Sequence, residues 1–260
     1  MLEEIQEMRG GPVFFRGHSD STWKLETTLE RYLGPDQEVN DYYRDIERIQ
    51  SQIETFTDRN WDLPSVQDYM SNLKNNRILD TDPVIAYMQH LRHFGYPSPL
   101  LDWTRSPFVA AYFAFRDITN KAKSIAIYEL FAASDMGTGG SLETTHIRPI
   151  FSSSRKNKRH YLQQSFYTIC LRQANGHTYY ASHEDPHVLG EEDGVLGGEA
   201  ITKYILPVSE RVTALHSLDA YNINSYSLFG TEESLLETLF LRDYKSRQIS
   251  KNIDANWLGQ

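Results

Sequence analysis

One cysteine, Cys170, stands in 260 residues. It excludes an intrachain disulfide framework and a cysteine-built zinc cluster, and it fits a reducing compartment. No apolar run approaches the roughly 18 residues that a membrane span needs. The opening MLEEIQEMRGG is acidic and polar, unlike a signal peptide. These absences predict a cytoplasmic protein with no membrane partner. Basic residues are also scarce: 26 Lys and Arg face 35 Asp and Glu, a net charge of −9. Net charge therefore does not draw the chain to nucleic acid, although a local basic groove stays compatible with it. The glycine patterns of P-loops, dinucleotide folds and serine hydrolases do not occur. What is present is an ordinary globular composition, 40% hydrophobic and 12% aromatic with 16 Tyr. It is enough for one large core, and we expect a single domain over residues 1–260.

The hydrophobic spacing predicts an α+β fold, with helices mostly in the first half and strands mostly in the second. Val39, Tyr42, Tyr43, Ile46, Ile49, Ile53 and Phe56 mark an amphipathic helix over about 38–58. A second helix is expected within 61–79, and Asp82-Pro83 opens a third that ends near Gly95. YPSPLLDWTRSP reads as a loop with a short apolar run. Ser106-Pro107 then starts a buried helix through Phe108, Ala111, Tyr112 and Phe115. Strands are expected at 13–16, 124–131, 146–150, 164–171 and 200–206, with loop over 173–198. A last helix, about 231–246, would bury Leu235, Leu236, Leu239 and Phe240.

Three stretches concentrate residues that do chemistry. In VFFRGHSD an apolar strand delivers Arg16, then Gly17. A guanidinium grips a phosphate or carboxylate with two parallel hydrogen bonds. A glycine beside it permits close approach of a ligand or a neighbouring backbone. The bland alternative is a structural arginine paired with Asp102 or Glu26. In LRHFGYPSPLLDWTRSP, His93, Asp102, Trp103 and Thr104 precede a helix N-terminus, which favours anions. Here Asp102 can fix an Arg or a His, and Trp103 offers a stacking face or belongs to the core. In RHYLQQSFYT, Gln163 and Gln164 enter a strand beside Phe166. A glutamine can hold a ribose hydroxyl but cannot act as a general base. HEDPH, residues 183–187, lacks the ligand number and the helix that a metal site needs, so no metal is expected. RKNKR, residues 155–159, reads as a solvated face.

FFRGHSDSTWKLETTLER, HFGYPSPLLDWTRSPFVAAYFAF and RHYLQQSFYT together resemble the FRG domain family, named for its Phe-Arg-Gly motif. The resemblance runs over about 13–210. Arg92 stands where the family usually has Gln, Ser98-Pro99 replaces Thr-Arg, and Ser165 replaces Gly. More loosely, an aromatic-Arg-Gly strand, a Ser/Thr segment entering a helix and a Gln-bearing strand are similar to Arg-Ser-Glu-type ADP-ribosyltransferases. That likeness implies an ADP-ribosyltransferase-like split sheet, mixed or antiparallel, and NAD as substrate. The function it implies is ADP-ribosyl transfer to a protein or nucleic-acid acceptor, or NAD hydrolysis, in a microbial toxin or phage-defence setting. It assigns Arg16, Gly17, Trp103, Thr104, Gln163 and Phe166 to NAD, and Arg16, His93, Asp102, Thr104 and Gln164 to catalysis. YLQQSFYT carries no carboxylate where those enzymes place a glutamate, which leaves Asp102 and Glu199 as candidates. The rival reading is a non-catalytic nucleotide-binding or protein-interaction module.

Overall fold

The computed structural model describes residues 12–74, 83–117, 121–131, 146–150, 158–184 and 200–243. Glu199, Pro186 and His187 lie outside them. Eight strands form one sheet: β1 (Val13–His18), β2 (Gln37–Glu38), β3 (Leu101–Thr104), β4 (Ser124–Phe131), β5 (His146–Ile150), β6 (Ser165–Ala174), β7 (His177–Tyr180) and β8 (Ala200–Pro207). Their order is β2-β7-β6-β3-β1-β4-β8, with β5 on the other edge of β6, and every pairing is antiparallel. The helices are α1 (Thr28–Leu33), α2 (Val39–Thr57), α3 (Val66–Lys74), α4 (Pro83–His93), α5 (Pro107–Arg116), α6 (Lys158–Leu162), α7 (Arg211–Ala220) and α8 (Ser225–Phe229), with α9 over 232–243. An antiparallel sheet packed with helices agrees with the expected class, although strands and helices come from both halves of the chain.

Strand periodicity sorts β6 between two cores. Tyr167, Ile169 and Leu171 join Tyr43, Ile46, Tyr87 and Met88 of α2 and α4. Phe166 and Cys170 join Phe14, Leu101, Trp103 and Tyr128 on the other side. A third cluster seats α5 against β4, α7 and α8 through Tyr112, Phe115, Ile125 and Leu228. Fully burying side chains of this size stabilises by about 1.5–3 kcal/mol each.

Several expectations change. LDWT is not loop but β3, a central strand between β1 and β6. Its residues do alternate, with Leu101 and Trp103 in the core beside Phe14 and Asp102 and Thr104 on the opposite face, but four residues next to Pro97 and Pro99 are too short a run to stand out as a strand. The span 173–198 begins not as loop but as a β6–β7 hairpin, turning at Asn175 (φ 52°) and Gly176 (φ 79°). Asn-Gly is the pair that a tight hairpin turn favours. Phe56 and Phe108 are exposed rather than buried. Helix α9 is inverted relative to its predicted face. Leu235, Leu236, Leu239 and Phe240 are exposed, whereas Ser234 and Thr238 are buried. Glu237 anchors that polar face: it accepts from Arg116 Nε and Nη2, both at 2.9 Å, and from Ser225 Oγ at 2.7 Å.

Candidate functional site

Alternation along β1 sends Phe14, Arg16 and His18 to one face and Val13, Phe15 and Gly17 toward α5. A Cβ on Gly17 would lie 2.0 Å from Ala110 O and 2.7 Å from Ala114 N. Gly17 is therefore required by the helix backbone packed on it, the second of the two uses its sequence context allowed. Register puts Phe15 opposite Thr104, and Thr104 opposite Ser165. Three stretches far apart in sequence thus become adjacent strand ends.

They enclose a pocket of about 470 Å³, within the range of small-molecule sites. Its walls are Phe15, Arg16 and Gly17 from β1, Thr28 from α1, and Arg92, His93, Gly95 and Tyr96 around the end of α4. Asp102, Trp103 and Thr104 of β3, Ala110 and Phe113 of α5, His160 and Gln163 near α6, and Ser165 and Tyr167 of β6 complete it.

A charged triad forms its floor. Arg92 forks onto Asp102: Nε donates to Oδ1 at 2.7 Å and Nη2 donates to Oδ2. Arg92 Nη1 also donates to Thr28 Oγ1 at 3.2 Å. Arg16 Nη1 donates to the Asp102 carbonyl at 2.7 Å and lies 3.7 Å from Oδ2, while its Nε donates to His18 Nε2 at 3.1 Å. Among the described residues no hydrogen bond engages Arg16 Nη2. The arginine side chains are 17% and 13% exposed, against 43% for Asp102. Burial pushes Arg16 down to about 10, with Asp102 pulling it up and Arg92 opposing. It stays a cation at neutral pH. Burial alone would raise the Asp102 carboxyl, but Arg92 and then Arg16 outweigh it and hold it below its usual range. Two cations and one anion leave the floor with one uncompensated positive charge.

Histidines line the wall beside it. His93 Nε2 contacts His160 Nε2, their ring centroids 4.4 Å apart, and Tyr167 Oη sits 2.8 Å from His160 Nε2. Burial lowers both rings, His160 to about 4 with His93 as the second cause. His160 is therefore neutral at pH 7.

The predicted site residues separate as follows. Arg16, Gly17, His93, Asp102, Trp103, Thr104 and Gln163 all line the pocket. Gln163 and Gln164 do not enter the strand. They occupy the α6–β6 turn, with Gln164 exposed at φ 50° and its carbonyl accepting from Arg105 N–H at 3.1 Å. Gln163 O accepts from Thr104 Oγ1 at 2.8 Å, while its side chain donates to Leu228 O at 3.3 Å. Trp103 is core: it is 3% exposed and donates to Thr168 Oγ1 at 2.8 Å. Phe166 stacks on Phe14, centroids 3.6 Å apart, beneath the pocket rather than in it. The aromatic walls that stay partly open are Tyr96 and Phe113, while Tyr167 is 3% exposed and reaches the pocket from the core. Arg92 and His160 escaped sequence reasoning. Arg92 was visible only as a departure beside His93, and His160 sat at the end of a basic run.

Residues 11–123 match the family model of the FRG domain. The chain carries an FRG domain. The matched span holds β1, α4, β3 and α5, and so the whole Arg16–Asp102–Arg92 triad. It ends before α6 and β6, so tertiary structure, rather than the family model, brings His160, Gln163 and Ser165 to the FRG residues. Neither the curated proteins nor the solved structures gave a match.

Proposed function

We propose that the FRG pocket binds NAD or a related nucleotide, and that the protein is an ADP-ribosyltransferase-like or NAD-hydrolysing effector. The observation that carries this reading is Arg16: a largely buried cation that lines a 470 Å³ pocket and whose Nη2 makes no hydrogen bond among the described residues. A phosphate oxygen supplies the missing acceptor, and a pyrophosphate matches the floor's surplus positive charge. Tyr96 and Phe113 give apolar faces for a base or nicotinamide ring. Asp102 is the single carboxylate among the described lining residues, and neighbouring arginines hold it ionised. In this reading it is the negative charge that stabilises an oxocarbenium-like transition state, and Thr104 and the His93–His160 pair shape the wall. The microbial toxin or phage-defence setting comes from the ADP-ribosyltransferase likeness alone.

A second reading rests on a separate observation. Both Asp102 oxygens are already engaged by Arg92, which blunts the carboxylate as a stabiliser of new positive charge. On that ground the pocket is a non-catalytic nucleotide site. One experiment separates the two: incubate purified protein with adenylate-labelled NAD, with and without lysate, and follow nicotinamide release and label transfer. Release abolished by Arg16→Ala supports the enzyme, and the labelled species names a protein or nucleic-acid acceptor. NAD binding lost in Arg16→Ala, without turnover, supports the module. No binding at all refutes both.

A further inference from the structure

Two walls of the pocket are braced by one dipeptide, Leu228-Phe229 at the end of α8, which is not among the described lining residues. On α5, Ala110, Phe113 and Arg116 follow at intervals of three and so share a face. Ala110 and Phe113 line the pocket. Phe113 meets the Phe229 ring edge to face, with centroids 6.0 Å apart and planes at 84°. The Arg116 guanidinium lies 4.5 Å from the centre of that ring. From α6 the Arg159 guanidinium reaches the same ring at 5.6 Å. Gln163, four residues on and part of the pocket lining, donates from its side-chain amide to Leu228 O at 3.3 Å. Its own carbonyl accepts from Thr104 Oγ1 at 2.8 Å, which carries the brace to the end of β3.

The dipeptide is itself held firmly. Asn224 Oδ1 accepts from Ser227 N–H at 2.9 Å and Asn224 N–H donates to Ser227 Oγ at 3.1 Å, a reciprocal cap on α8. Gly230 closes the helix at φ 65°, where glycine meets no steric cost. Ser225 Oγ and Arg116 both donate to Glu237 of α9. A wall residue keeps its place in a binding site when its neighbours are locked in this way. Phe113 is only partly buried, so without the Phe229 ring beside it the side chain has room to change rotamer. A leucine at 229 would also offer no π face to the two guanidinium groups.

We propose that Phe229 is a positioning residue for the ring end of a nucleotide. It holds Phe113 and the turn of Gln163 in the arrangement that admits a flat base or nicotinamide, and it does not touch the ligand. Phosphate binding on the Arg16 floor does not depend on it. The inference rests on the nucleotide reading of the pocket. It adds that the ring subsite is completed by residues 225–237, far beyond residue 123, where the family match ends.

The test is isothermal titration calorimetry of the full chain with NAD and, separately, with inorganic pyrophosphate. Phe229→Leu should weaken NAD at least fivefold and leave pyrophosphate within twofold. Phe229→Tyr keeps the ring and should leave both within twofold. Arg16→Ala should weaken both at least tenfold. A general loss of structure would move the two ligands together, and circular dichroism checks that each variant folds. If Phe229→Leu does not fold, Phe229→Met, which keeps more of the volume but no ring, carries the same comparison. Wild type that binds NAD, with Phe229→Leu within twofold or with both ligands weakened alike, overturns this inference alone. So does Phe229→Tyr losing as much as Phe229→Leu. Wild type that binds no NAD overturns the nucleotide reading, and this inference falls with it.

Discussion

Asp102→Ala tests the electrostatic logic of the pocket most directly. Removing this carboxylate strands the two guanidinium groups that share it, 13% and 17% exposed. Arg92 loses a two-point fork and Arg16 loses its nearest anion. Deleting one member of a buried pair costs about 3–5 kcal/mol, because the partner stays buried and charged. Asp102 itself is 43% exposed to the pocket, so water screens part of the loss and about 2–3 kcal/mol is the fitting magnitude. For a domain of this size that lowers Tm by about 5–10 °C. Thermal unfolding by circular dichroism at pH 7.5 and low salt reads it. The variant should also recover more Tm than wild type when pyrophosphate is added, since the anion takes the place of the lost carboxylate. A Tm within 1 °C of wild type, or no difference in pyrophosphate rescue, would refute the reasoning that Asp102 balances two charges.

Gly17→Ala should cost at least about 3 kcal/mol by overpacking, because the new methyl meets helix backbone at 2.0 Å rather than a side chain that can swing away. A denaturation midpoint near wild type would contradict this. Acid should destabilise the fold before the carboxylates titrate. Burial holds His18, His160 and His183 at about 3, 4 and 3 against a usual 6.5. They are neutral in the fold, so their contribution is full above pH 6.5 and falls as pH drops toward 4, by about 2 kcal/mol each at pH 5. Urea midpoints at pH 7 and pH 5 measure the slope, and equal midpoints would sink the claim. On α9, Leu236→Lys should change stability by less than about 0.5 kcal/mol because the side chain is exposed. Glu237→Ala should cost about 2 kcal/mol through lost bonds to Arg116 and Ser225; reversed magnitudes in chemical denaturation would restore the apolar face as the packed one.

Local chemistry was readable where one residue type has one common use. Ser106 before Pro107 starts α5, its hydroxyl accepting from Val109 N–H at 3.3 Å. The spacing of Val39, Tyr42, Tyr43 and Ile46 gave α2 and its buried face. Arg16, Asp102 and Thr104 were singled out because a cation, an acid and a hydroxyl beside tight turns have few routine structural uses, and all three line one pocket. The sequence could not tell that LDWT is a central strand, because four alternating residues close to Pro97, Pro99 and Pro107 are too short a run to separate from a turn. Nor could it tell which side of α9 packs, because Glu237 finds a partner only once α5 lies against it. The same is true of Arg92. Its spacing to Asp102 along the chain says nothing of the fork between them. Local pattern determined the elements and named most of the site. Only tertiary packing decided that Gly17 serves a helix, that Trp103 and Phe166 are core, and that Arg16 lines the pocket beside Asp102.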